Sequence, residues 1–301
     1  VLTDTEPPPK FTDRTMPLKN WAIQTNGTNW NEVINTEGWA SRYPFAAWLL
    51  VLYTIWFITT PIAMIVFRSL SDRGYLLARP LGLLLAAYIP WILASLNIAP
   101  FTKQSILLGL ILLGAFSFWM CIHFGKEILS FMRQKWRLLI LSECIFAVAF
   151  LFLSVIRMAN PDLWHPSYGG EKPMDLAYLN GVVRSTIMPP IDPWFAGGAI
   201  NYYYFGHFIV ACLIKLTSLA PTTAFNLALP LFYAMTVGAA FSLGFNLTCG
   251  TREVLQARNA FRIPRWGSIG AGLAAVLFIG ILANLDGAIQ LLTNTWTKLA
   301  G

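Results

Sequence analysis

Runs of about twenty apolar residues recur along this chain and decide what it can fold into. They cover 43–67, 76–96, 104–124, 138–156, 200–219, 225–245 and 269–285. As helix, each is about long enough to cross the roughly 30 Å hydrocarbon core of a bilayer. Inside that core every backbone polar group needs a partner from the chain itself, which leaves helices or closed barrels. The alternating ten-residue segments of a barrel are absent. Only 12% of the 301 residues are charged and 56% are hydrophobic, far more apolar surface than a soluble domain can hide. The expected fold is all-α, a polytopic transmembrane helical bundle of about seven spans. It divides into a polar surface tail over 1–42, spans one to four over 43–156, a large loop over 157–199 with an amphipathic helix, and spans five to seven with a short tail over 200–301.

The charge of +7 sits in short patches beside the spans, where orientation signals and contacts to anionic lipids belong. This excludes nucleic acid as a partner and makes membrane lipids one. Arg68 and Arg73 follow span one, and Lys126, Arg133, Lys135 and Arg137 follow span three. Both connectors are expected inside, which puts 157–199 outside the cytoplasm. Counting on through seven spans then places Arg252, Arg258, Arg262 and Arg265 outside, against the same rule; a span five or six that does not fully cross would remove the conflict. Arg79, near the start of span two, is expected to snorkel to the interface, and Glu143, in the first turns of span four, to reach the surface. The four cysteines have no CxxC spacing and indicate neither disulfides nor zinc. The chain opens on Val1 with no cleavage-site signal before the first span, as expected of a processed chain or a segment of a longer one.

Acids, amides, tyrosines and a histidine concentrate between Gly169 and His207. Pro173 is suited to the first turn of a helix running to Ile187, where Pro189-Pro190 stop it. On that helix Leu176, Leu179 and Val183 form an apolar stripe, and Glu171, Asp175 and Tyr178 an acidic edge. Two carboxylates one turn apart can share a divalent cation or divide proton transfer. Equally, Glu171 can cap the helix and pair with Lys172 or Arg184. Asp192, before Pro193-Trp194, reads as a turn residue or as a third acid at the same mouth. In Asn201-Tyr202-Tyr203-Tyr204-Phe205-Gly206-His207, Tyr203 and His207 share a helical face, as do Asn201 and Tyr204, and at least one tyrosine faces lipid headgroups. His207 is a base, phosphate contact or metal ligand on one reading and a hydrogen-bonded structural histidine on the other. Walker, HExxH and GxSxG patterns are absent.

The strings from Gly169 to Asp175, Asp192-Pro193-Trp194 and Asn201 to His207 resemble the YYY membrane protein family, named for its tyrosine triplet. So do Ser71-Asp72-Arg73-Gly74-Tyr75 and Ala78-Arg79-Pro80-Leu81-Gly82. The resemblance implies the cell membrane of a bacterium or archaeon, and a layout similar to the GT-C glycosyltransferases. On that likeness the outer loop carries catalytic acids, with Glu171, Asp175 and Asp192 as candidates. The substrate is a polyprenyl-phosphate sugar, met by Lys172, Arg184, Asn201, Tyr203, Tyr204 and His207. A divalent cation would fall to Glu171 and Asp175. The competing expectation is a non-catalytic accessory subunit packed against other membrane subunits.

Overall fold

The computed structural model describes residues 16–25, 27–164, 170–257 and 265–284, with 289, 290 and 293. Val1, Gly169, Arg258 and Arg262, singled out in the sequence, lie outside the described residues. Helix is the only regular element among those described. The order is α1 (Leu18–Thr25), α2 (Trp30–Val33), α3 (Trp39–Arg42), α4 (Pro44–Val66), α5 (Ala78–Ser95), α6 (Lys103–Ala159), α7 (Lys172–Arg184), α8 (Phe205–Thr217), α9 (Pro221–Ala257) and α10 (Arg265–Gly280). Four of these, α4, α5, α6 and α9, contain segments long and apolar enough to cross a membrane. They carry exposed side chains such as Phe57, Ile111, Phe118, Val148 and Leu247, as expected of helices solvated by lipid. The protein is a multi-pass helical membrane protein.

Two differences from the expected spans matter. The basic stretch 125–137 is helical rather than an open connector, so spans three and four form one 57-residue run whose dihedrals leave the helix at Lys135 (φ −110°, ψ 15°). The other difference is span five. Helix begins only at Phe205 and ends at Ser218, which adopts a left-handed conformation (φ 60°). Its 13 residues reach about 20 Å, short of the hydrocarbon core.

Contacts divide the chain into two units. The first comprises Val1–Thr59, Leu81–Trp119 and Arg157–Ala228. Here α8 is buried along most of its length, with Phe208, Leu213 and Ile214 sealed from solvent. Its start is tied to α5, because Trp91 Nε1 donates to Tyr204 Oη at 2.9 Å. Its end is tied to the turn that follows α5, because Lys215 Nζ donates to the Phe101 carbonyl at 2.9 Å. The Phe101 ring packs against that of Phe208 in a tilted arrangement, centroids 4.3 Å apart. Both ends of α8 therefore meet the same end of α5. The N-terminal stretch is held there too: Asn35 N donates to Ser218 O and Met16 N to Gly197 O, each at 3.0 Å.

The second unit comprises Thr60–Pro80, Met120–Ile156 and Leu229–Gly301. Its polar centre is the turn between α4 and α5. Asp72 is 0% exposed and accepts from Ser242 Oγ (2.6 Å), Asn246 Nδ2 (2.8 Å) and Gly74 N (3.0 Å). Arg79 does not snorkel and Glu143 does not run free to the surface. Arg79 Nη2 donates to both oxygens of Glu143, at 2.6 and 2.7 Å, and Tyr75 Oη adds a bond of 2.8 Å. The guanidinium also lies 4.0 Å from the Phe146 ring centroid. A charge left unpaired at a span end costs more than the entropy of fixing two side chains, so the pair forms wherever a partner is in reach.

Candidate functional site

The site is built on α7 and the start of α8, both in the first unit. Pro173 opens α7 as its fixed φ favours, with Glu171 at the N-cap and Asp175 in the first turn. Leu179, Val182 and Val183 are buried and anchor the helix. α7 ends at Arg184, three residues before the expected Ile187, because Ser185 turns extended (φ −71°, ψ 141°). Its hydroxyl donates to Gly181 O at 2.7 Å and accepts from Ile191 N at 3.0 Å, an alternative to continuing the helix that serine supplies readily. Gln24 fixes the strand of loop that follows. Its amide donates to Ile187 O and accepts from Thr186 N, at 2.9 and 2.8 Å.

These anchors bring Asp175, Tyr178, Tyr202 and His207 together. His207 Nε2 lies 3.6 Å from Asp175 Oδ1, an electrostatic approach rather than a formed hydrogen bond. His207 Nδ1 is buried without a hydrogen-bond partner among the described residues. The tautomer with the proton on Nε2, facing the carboxylate, therefore fits best. The Tyr178 ring stands edge-on to His207 at 6.1 Å and stacks on Tyr202 at 5.8 Å. Burial, and then the negative charge of Asp192, push the Tyr178 hydroxyl above its ordinary pKa, with Tyr202 and Asp175 adding to the effect.

The other expected residues are distributed around this cluster. Glu171 is exposed at the helix start, makes no side-chain cap bond and, among the described residues, forms no ion pair with Lys172 or Arg184. Asp192 closes a turn, its Oδ1 accepting from Trp194 N (2.8 Å) and Phe195 N (3.2 Å). The tyrosine triplet precedes the helix rather than lying in it, so the i, i+4 pairing of Tyr203 with His207 does not form. Tyr203 is 83% exposed, Asn201 is exposed, and Tyr204 is engaged by Trp91. Arg184 stands nine residues along α7 from Asp175, half a turn round the helix. Trp91 and Gln24 escaped the sequence reading because their partners lie 113 and 163 residues away.

Among the described residues no three His, Cys, Asp or Glu side chains gather as metal ligands. Glu171 and Asp175 alone do not enclose a cation.

Residues 85–301 match the family described as uncharacterized membrane protein (DUF2298). The match covers well over half of the chain and takes in the whole of α6 to α10 and with them this site. No curated protein and no solved structure matches the chain.

Proposed function

The chain belongs to the DUF2298 family of uncharacterized membrane proteins, and we propose that it transfers a sugar from a polyprenyl-phosphate donor at the outer face of the cell membrane. The resemblance to the YYY family, and through it to the GT-C layout, is part of this reading. The observation that carries it is the approach of Asp175 to His207, 3.6 Å apart, on a loop packed at the ends of membrane helices. In the proposed step the acceptor hydroxyl attacks the anomeric carbon while Asp175 takes its proton. The bond from that carbon to the phosphate oxygen breaks, and the polyprenyl phosphate leaves with the electron pair. His207 orients Asp175, and Lys172 at the first turn of α7 faces the phosphate. Glu171 supports Asp175 one turn away. Asn201, Tyr203 and Tyr204 line the approach at headgroup level, and Asp192 shapes the turn beside it.

The basic residues after α4 and within α6 support an outside loop, and α8 removes the conflict that the later basic residues raised. A helix that starts and ends against the same end of α5 does not cross. Left out of the count, it reduces seven crossings to six. The basic stretches 68–77 and 125–137 and the end of α9, where Arg252 stands, then fall on one side, as the distribution of Lys and Arg favours, and α7 on the other.

The test is transfer of labelled sugar from synthetic polyprenyl-phosphate donors in reconstituted vesicles. Glu171→Gln with Asp175→Asn should abolish transfer and leave the thermal midpoint in place; retained turnover would sink the proposal.

A further inference from the structure

A cavity of about 560 Å³ opens beside α7, lined by Gln24, Trp30, Asn180, Gly181, Arg184 and Pro193 among others. Its volume is that of a small-ligand site. It lies on the face of α7 turned away from Asp175, so it is separate from the transfer chemistry proposed above.

The cavity is built rather than incidental. Gln24 spends its amide on Thr186 and Ile187 and so holds α1 against the loop that forms one wall. Gly181 lets the loop approach closely, for a Cβ there would stand 2.8 Å from the Ile191 carbonyl oxygen. The side chains left to meet a ligand are an indole, a primary amide and a guanidinium. Among the described residues, those of Trp30, Asn180 and Arg184 make no hydrogen bond to a protein group within the cavity.

We propose that this cavity binds an anionic saccharide. An indole face covers the apolar C–H face of a sugar ring, an amide both donates to and accepts from ring hydroxyls, and a guanidinium pairs two-pronged with a carboxylate or phosphate. A purely apolar ligand would leave Asn180 and Arg184 desolvated without compensation. A bare anion would leave Trp30 and Asn180 with nothing to recognise. The sugar is a free glycan end or the headgroup of a glycolipid, the recognised chemistry being the same.

Isothermal titration of the full chain in nanodiscs tests this with four probes: glucuronic acid, glucose 1-phosphate, glucose and inorganic phosphate. At least one of the two acidic sugars should bind saturably, with glucose and phosphate at least ten-fold weaker. Arg184→Gln, at an exposed position where the fold is not at stake, should weaken that binding about ten-fold or more, and Trp30→Ala similarly with its thermal midpoint checked. Asp175→Asn should leave it unchanged, which separates this cavity from the transfer site. Competition by an acidic glycolipid added to the nanodiscs identifies the headgroup source, and its absence the free sugar. Phosphate binding as tightly as either acidic sugar, indifference to Arg184→Gln, loss on Asp175→Asn, or no saturable binding by either acidic sugar overturns the proposal.

Discussion

Tyr178 concentrates the electrostatics of the site in one hydroxyl. Its pKa is raised by burial and by Asp192, Tyr202 and Asp175, so the fold favours the neutral phenol. The stability this brings is full below the ordinary tyrosine pKa of about 10 and is lost as pH rises from there through the raised value. Ultraviolet difference titration of the protein against Tyr178→Phe should show this tyrosine ionising above pH 10, and Asp192→Asn should bring it back toward 10. A Tyr178 that ionises at or below 10 would contradict the assignment. Arg79 makes a second case. Removing it alone strands Glu143, whose side chain is 29% exposed, so Arg79→Met should cost about 1–3 kcal/mol, less than the loss for a fully buried pair. The double change Arg79→Met, Glu143→Leu should recover most of that in thermal unfolding. The acids, Tyr178 and His207 were visible in the sequence because polar residues stand out between apolar runs. The pairing of Arg79 with Glu143 was not, since side-chain reach across 64 positions leaves no local pattern.

Elements were legible where length and hydropathy alone decide them. The spans at 43–67 and 76–96 became α4 and α5 with ends moved by at most two residues. α7 began where Pro173 indicated. Its end was misread because the stop is a serine with two partners, one of them six residues ahead in the loop. α8 was overextended because hydropathy does not register that Tyr204 is held by Trp91, with the tyrosine triplet left outside the helix. Gly181 shows local preference losing to packing. Alanine is the better helix former by about 1 kcal/mol, yet a methyl group there meets the Ile191 carbonyl oxygen at 2.8 Å, and backbone cannot give way cheaply. Gly181→Ala should therefore lower the thermal midpoint; a rise would mean that α7 and the 191–193 turn separate freely.

Across the whole molecule, the proposed six crossings make a prediction that the seven expected from hydropathy do not share. In a cysteine-free background, single cysteines at Gln134 and at Thr251, both near basic stretches, should react with an impermeant thiol reagent only from the cytoplasmic side. One at Asn201 should react only from outside. Labelling of Gln134→Cys and Thr251→Cys from opposite sides would mean that α8 crosses after all. The order of the chain adds a further consequence. Asn35, Trp91, Phe101 and α7, which hold α8, are all synthesised before it. The partners of this apolar segment are therefore all within the chain by the time Phe205 is added, so it has a protein surface to meet as well as the lipid.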